Sequence, residues 1–376
     1  MKKFPGMKKY LPALIAGALS LTIGSVANAC TGARLIADDG AVVYGRTLEW
    51  DSFDLKSRVS ITPRGHQFTG TTPEGLNGKQ WQGKYGYVSL DTLEKDIYVD
   101  GMNEKGLAVG LYYHPDFAKY MDYQPEQAAG TITATDLIPY LLSQFETVDE
   151  VKAAMEELQI VAVVQPELGI PVPAHWMVTE PSGKAIAIEI LDGEVRIFEN
   201  PLGIITNAPN FDWHMTNLRN YIQVSGNAHP AKKAEGLEFS ALGGGSGMLG
   251  LPGDQTPVSR FVRLAAWTQT ARDMESTEDA TYELFRILDN YNVPLGSAEG
   301  TGTVARALED GMRSATLWTS AWDLENKTLS YHTQYNRRVR TLNFDAIDFS
   351  DTVGGIKKIQ MDIEKKQDVE DISNRL

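Results

Sequence analysis

Cys30-Thr31-Gly32-Ala33-Arg34-Leu35-Ile36-Ala37-Asp38-Asp39-Gly40-Ala41-Val42-Val43-Tyr44-Gly45-Arg46-Thr47-Leu48-Glu49-Trp50 is the stretch on which the reading of this chain turns. Two runs of β-type residues flank Asp38-Asp39-Gly40, a pattern that predicts a hairpin. A strand pair that turns there brings the Arg46 region back beside Cys30. Directly upstream, Ala27-Asn28-Ala29 is a small-x-small cleavage site, preceded by Lys2, Lys3, Lys8 and Lys9 and an apolar run from Tyr10 to Val26. These are the parts of a secretory signal, expected over residues 1–29. Cleavage there would make Cys30 the first residue.

A thiol and a free α-amine would then share one residue. The amine, with a pKa of about 7.7–8.0 in model peptides, can act as base for its own side chain. That is the arrangement of an N-terminal-nucleophile hydrolase. A second reading of the same cysteine is a lipid anchor on a non-catalytic binding protein. That site usually has Leu or a similar aliphatic residue three positions before the cysteine, where this chain has Ala27. The readings exclude each other, because a lipidated sulfur is no nucleophile.

Composition narrows the classes further. The chain has 376 residues and a formal charge of −14, and losing residues 1–29 removes four lysines and makes it more acidic. Such a chain is a poor partner for nucleic acid or an anionic membrane surface. No segment after the leader has the roughly 20 apolar residues of a membrane span, so the expected location is the periplasm or the medium. The single cysteine allows no internal disulfide. The six histidines show no metal-ligand spacing, and Gly243-Gly244-Gly245-Ser246-Gly247 lacks the Lys of a phosphate loop. Neither a metal nor a cofactor is expected.

Outward from the first hairpin, Ser57 to Thr62 predicts a strand, Thr69 to Gly86 a surface loop, and Ile97 to Val99 with Gly106 to Tyr113 a second hairpin. Helical spacing marks Ala134 to Phe145, Val148 to Leu158, Asp212 to Ile222, Ser259 to Arg272 and Glu278 to Leu288. Strands are expected at His175 to Glu180, Ala185 to Leu191, Glu194 to Phe198, Ala315 to Trp322 and Thr328 to Gln334. Helices grouped between hairpins point to an α+β fold of antiparallel sheets covered by helices. One domain is expected over 30–354, with 355–376, one short strand pattern followed by charge-rich residues, a solvated C-terminal appendage.

Five further residues fit chemistry at Cys30. Arg46 is a cation that would lower the thiol pKa. Glu49 and Asp51 flank Trp50, and either carboxylate could orient the amine. Asn207, closing the apolar run Ile204-Ile205 before Ala208-Pro209, could donate to an oxyanion. Arg260 opens a helix after a turn-rich loop and is a candidate second cation.

Cys30-Thr31-Gly32, Gly45-Arg46-Thr47, Asp100-Gly101-Met102-Asn103-Glu104-Lys105-Gly106-Leu107, Thr206-Asn207-Ala208-Pro209 with Asp212-Trp213-His214, and Gly250-Leu251-Pro252-Gly253-Asp254 through Ser259-Arg260-Phe261 together resemble the choloylglycine hydrolase family. The family contains conjugated bile salt hydrolases and penicillin V acylases. The resemblance covers about Cys30 to Asn343. It implies an αββα sandwich, an exposed N-terminal cysteine and a homotetramer. By motif it makes Cys30 the nucleophile, Arg46 its cationic neighbour, Asn207 the oxyanion donor and Arg260 the second arginine. Glu49 stands where the family has Asp, which leaves Asp51 as an alternative. In Gly110-Leu111-Tyr112-Tyr113 bile salt hydrolases tend to have Asn and penicillin acylases Tyr. The leader and Trp50 resemble the Gram-negative branch, whose penicillin V acylases include some that take acyl-homoserine lactones. Trp50, Phe53, Tyr112 and Tyr113 are the expected lining of an apolar acyl pocket. The substrate expected is a small amphipathic amide, penicillin V before a conjugated bile salt or an acyl-homoserine lactone.

Overall fold

The computed structural model describes residues 30–50, 54–294 and 316–376. The first hairpin forms as its sequence predicts. Strand β1 (Thr31–Ile36) returns as β2 (Val42–Glu49), with Ile36 paired to Val42 and Thr31 to Thr47. Gly40 N–H closes the turn on Ala37 O at 2.9 Å. Its φ of +89° is the reason a glycine follows the two aspartates.

The remaining strands of the two main sheets are β3 (Arg58–Thr62), β4 (Tyr87–Thr92), β5 (Ile97–Asn103), β6 (Ala108–Tyr113), β7 (Ala174–Thr179), β8 (Ala185–Leu191), β9 (Glu194–Glu199), β10 (Ile204–Ile205), β11 (Thr316–Asp323), β12 (Thr328–Thr333), β13 (Arg340–Asn343) and β14 (Lys357–Gln360). Among the described residues they build a six-stranded sheet, β10-β1-β2-β11-β12-β13, and an eight-stranded sheet, β9-β8-β7-β6-β5-β4-β3-β14. Every pairing in both is antiparallel.

The sheets meet face to face. Tyr44 of β2 and Tyr112 of β6 share a hydroxyl–hydroxyl bond of 2.7 Å, and Ser320 and Trp322 of β11 donate to Asp100 of β5 at 2.6 and 2.7 Å. A Cβ on Gly32 would overlap the Tyr112 hydroxyl, and one on Gly110 the Tyr44 hydroxyl. Glycine at both positions lets the tyrosines cross between the sheets.

The helices are α1 (Leu137–Gln144), α2 (Val148–Met155), α3 (Phe211–Asn217), α4 (Pro257–Gln269) and α5 (Thr277–Leu288). Helix α1 packs on β5 and β6, while α4 lies on β1 and β10 and α5 on β1, β2 and β11. Ser276 caps α5 by accepting the Asp279 N–H, and Ala280, Leu284, Phe285, Ile287 and Leu288 form its buried stripe. With α5 on one face and the second sheet on the other, every residue of β2 is buried. The layer order is helix, sheet, sheet, helix, the expected α+β sandwich. Among the described residues no helix is long and apolar enough to cross a membrane.

Three segments depart from expectation. The loop predicted from Thr69 contains Gln80–Gln82 paired to Gln67–Thr69, and Trp81 stacks on Phe68 with ring centroids 4.9 Å apart. Burial of one indole anchors a segment whose glycines and threonines read as surface loop. Strand β4 was not expected, since Tyr87–Thr92 is buried on both faces and lacks alternation. The tail beyond 354 is not wholly a solvated appendage. Lys357–Gln360 pairs with β3 as the sheet's edge strand, and buried Met361 accepts the Tyr331 hydroxyl at 3.1 Å. The short strand is the one expected there, and lysines suit an exposed edge, which is why it reads as solvated; its pairing with β3 is what the sequence does not show.

Candidate active site

Cys30 sits one residue ahead of β1 and is buried. Gly32 pairs with Ile205 of β10, so the same register carries Cys30 opposite Asn207. On its other side β1 pairs with β2, which carries Cys30 opposite Leu48. The thiol residue therefore lies between the Asn207 turn and the end of the Arg46 strand.

Arg260 joins these parts. It enters from the first turn of α4, where Thr256 accepts the Ser259 N–H, Pro257 opens the helix, and Asp254 accepts from Thr256 and Ser259. Its Nη1 donates to Cys30 O at 2.6 Å and Thr31 Oγ1 at 2.7 Å, and its Nη2 to Asn207 Oδ1 at 2.6 Å. A guanidinium only donates, so this contact fixes which end of the Asn207 amide is oxygen. The amide nitrogen gives one hydrogen to Tyr113 O at 2.7 Å, leaving a second.

Arg46 is fully buried under the site. Its Nε donates to Thr47 O at 3.2 Å, its Nη1 to Val99 O at 2.7 Å and to Leu111 O, and the guanidinium lies 4.4 Å from the Tyr112 ring centroid. None of these partners is a carboxylate. Burial pushes the Cys30 thiol up; Arg46 pulls it down, Glu49 pushes it up, and the Glu49 backbone N–H and Arg260 pull it down. Glu49 is itself raised to about 8 by burial, against the pull of Arg260, hydrogen bonds from Thr47 and Thr316, and Arg46.

A cleft of about 610 Å³, counting the part open to solvent, reaches Cys30. Leu48, Leu55, Leu93, Ile97, Val99, Leu111, Leu168 and Val172 make it apolar; Glu49, Trp50 and Tyr113 also line it. Trp50 and Tyr113 meet edge to face with centroids 6.5 Å apart.

Residues 30–357 match the linear amide C–N hydrolases of the choloylglycine hydrolase family. The chain belongs to that family. It is 31% identical to a bile salt hydrolase/transferase of Clostridium perfringens over 84% of this chain and 92% of that protein. It is 24% identical to a penicillin V acylase of Pectobacterium atrosepticum over 74% of this chain and 73% of that protein. Among solved structures, a variant of the conjugated bile acid hydrolase of Clostridium perfringens superposes with a TM-score of 0.77 at 27% identity, covering 92% of this chain and 100% of that one. The αββα sandwich is thus that of an N-terminal-nucleophile hydrolase, and the chain is a hydrolase of linear amide C–N bonds.

Within this family member Arg260 bonds both Cys30 and Asn207, and Arg46, Glu49 and Arg260 all act on the Cys30 thiol. The structure separates the two tyrosines. Tyr113 lines the cleft, but Tyr112 points the other way along the strand, fully buried between the sheets under Arg46. The expectation that Tyr112 lines the pocket is therefore corrected; strand alternation allows only one of two neighbours to face it. Asp51 and Phe53 lie outside the described residues.

Sequence reading missed a second group. His175, Glu189 and His114 meet behind Asn207 with ligand atoms within 4.8 Å of one another. His175 and Glu189 face each other across the β7–β8 hairpin and His114 follows β6 well upstream, so no single linear motif announces all three. The His114 and His175 rings stack nearly parallel, centroids 4.2 Å apart and 3° between planes. An ion bound in the plane of one ring would lie out of the plane of the other, so the group does not fit a chelate.

Proposed function

We propose that residues 1–29 are removed on export and that Cys30, then N-terminal, is the nucleophile of an amidase acting on apolar acyl amides, penicillin V first among them. One observation carries this reading: a single guanidinium, Arg260, bonds the Cys30 carbonyl and the Asn207 side chain together. Nucleophile and oxyanion donor are thereby held in one frame.

In the reaction proposed, the α-amine takes the thiol proton and the thiolate attacks the amide carbonyl carbon. The free hydrogen of Asn207 Nδ2 meets the oxyanion. The ammonium then passes its proton to the leaving nitrogen as the C–N bond breaks, giving a thioester and a free amine. Water, losing a proton to the α-amine, attacks the thioester and releases the acid and the thiol. Arg46 favours the thiolate without accepting its proton, and Glu49 orients the α-amine by accepting its N–H on the carbonyl oxygen, which it does whether or not the carboxyl is ionised.

The acyl group enters the apolar cleft, where Trp50 and Tyr113 suit a phenoxyacetyl or alkyl chain. Tyr113 in that position supports the penicillin acylase reading. A second reading, conjugated bile salts, is favoured by the 31% identity to the Clostridium perfringens bile salt hydrolase/transferase. We further propose a periplasmic homotetramer; the exposed arm at Leu237–Phe239, with both of those apolar side chains in solvent, is suited to self-association.

The test is an intact mass and N-terminal sequence of the exported protein. Assays on penicillin V, glycine- and taurine-conjugated bile salts and an acyl-homoserine lactone follow. The expected chain starts at an unmodified Cys30 and hydrolyses penicillin V fastest. Diacylglycerol on the sulfur, or an uncleaved chain that is active, would overturn the nucleophile. Faster bile salt hydrolysis would overturn only the substrate.

A further inference from the structure

Trp176 of β7 pairs with Ile188 of β8, so the next step of that register sets His175 against Glu189. Both are buried. His175 Nε2 lies 3.1 Å from Thr206 O, and its Nδ1 lies 3.1 Å from Glu189 Oε1. A carbonyl only accepts, so Nε2 carries a hydrogen. A second hydrogen must then lie between Nδ1 and Oε1, or two lone pairs would face each other. The same Oε1 accepts the Phe211 N–H at 2.9 Å, where α3 begins.

Helix α3 supplies the other half. His214 Nε2 is 3.0 Å from Asn207 O, and its ring stacks on Phe261, the neighbour of Arg260, with centroids 4.5 Å apart. The carbonyl before Asn207 is thus held by one histidine and the carbonyl after it by another. With both flanking peptide planes fixed and Oδ1 held by Arg260, the Asn207 nitrogen has little freedom left.

We propose that His175 and His214 are positioning residues for amide hydrolysis, clamping the Thr206 and Asn207 carbonyls on either side of the Asn207 side chain, and that Glu189, bonded to Nδ1, keeps the hydrogen of His175 on Nε2 for its bond to Thr206. This rests on Asn207 being the oxyanion donor. The charges around the pair fit a neutral arrangement. Burial lowers His175 to about 4, with Arg46 adding to that effect, while burial raises Glu189 to about 7 against the pull of His114. Asp212, at the start of α3, also pushes Glu189 up, and the Tyr112 ring meets His175 edge-on at 6.1 Å. When the pair shares one hydrogen it therefore sits on Glu189, pointing at Nδ1.

The experiment is a double-mutant cycle on kcat and KM with the best amide substrate, using mature enzyme. His175→Phe is expected to lower kcat about 10–100-fold, the scale of a small misplacement at a reacting centre, with KM unchanged. His175→Gln, whose amide N–H can reach Thr206 O, should recover most of the loss. In an Asn207→Ala background His175→Phe should cost nothing further. If His175→Phe does not fold, the near-isosteric Glu189→Gln serves the same cycle. Its amide oxygen would still accept from Phe211 but brings no hydrogen to Nδ1. His175 must then turn its single hydrogen away from Thr206. Losses that add to that of Asn207→Ala, a rise in KM, or unchanged kcat would overturn the clamp. Wild-type kcat in Asn207→Ala alone would instead overturn the oxyanion reading, and the clamp with it.

Discussion

Nη2 of Arg260 lies 2.6 Å from Oδ1 of Asn207, which leaves the amide nitrogen as the donor end of that side chain. Asn207→Ala is expected to lower kcat about 10²–10³-fold, the loss typical of one oxyanion donor, with KM little changed. Arg260→Lys should lower kcat too, because one ammonium cannot reach Cys30 O, Thr31 Oγ1 and Asn207 Oδ1 together. It should also lower the unfolding midpoint, since each buried acceptor left unpaired costs about 1–3 kcal/mol. Steady-state kinetics and urea unfolding of the two variants check both statements.

Arg46 is the first group acting against burial at the Cys30 thiol. Replacing it with Met removes that cation and raises the thiol pKa. The rate of alkylation by iodoacetamide, followed against pH, should show its midpoint moved to higher pH, with slower reaction at pH 7. An unmoved midpoint would show that Arg46 does not stabilise the thiolate.

The two tyrosines should separate by readout. Tyr113→Ala opens the cleft wall opposite Trp50 and is expected to raise KM, with the fold intact. Tyr112→Phe removes the bond to Tyr44 and leaves that hydroxyl with Asp100 as its partner. It should destabilise the fold by about 0.5–1.5 kcal/mol, the net worth of one hydrogen bond, and leave KM unchanged. Kinetics and urea titrations of both variants make the comparison.

His332 gives a pH dependence away from the cleft. Burial lowers it to about 4, helped by Arg337 and opposed by Asp289. A histidine whose folded pKa lies below its ordinary value of 6.5 adds stability above that value. The contribution is lost as pH falls toward 4. Relative to His332→Gln, the wild-type chain should therefore lose stability between pH 6.5 and 4 and show no such difference above 7. Urea midpoints across that range are the measurement.

The site was legible in the sequence where its parts lie on one hairpin. Cys30 and Arg46 are tied by a turn whose residues specify it, so pairing from Asp39-Gly40 was enough to bring them together. Asn207 and Arg260 were legible only as polar residues at element ends, and their meeting through Oδ1 needed α4 laid on β1 and β10. Alternation could say that Tyr112 and Tyr113 face opposite ways, but not which faces the cleft. That choice follows from which side of β6 meets β2.

By itself the sequence determined the helix and strand pattern, the α+β class and the thiol and its cation, because periodicity, turn chemistry and short-range pairing are local. Tertiary structure decided what depends on strands far apart in the chain arriving side by side. The edge role of Lys357–Gln360 is one such case, settled by pairing with Arg58–Thr62. The histidines behind Asn207 are another. His175 meets Thr206 across the gap to the other sheet, and no spacing along the chain encodes that distance, whereas its meeting with Glu189 is set within the β7–β8 hairpin.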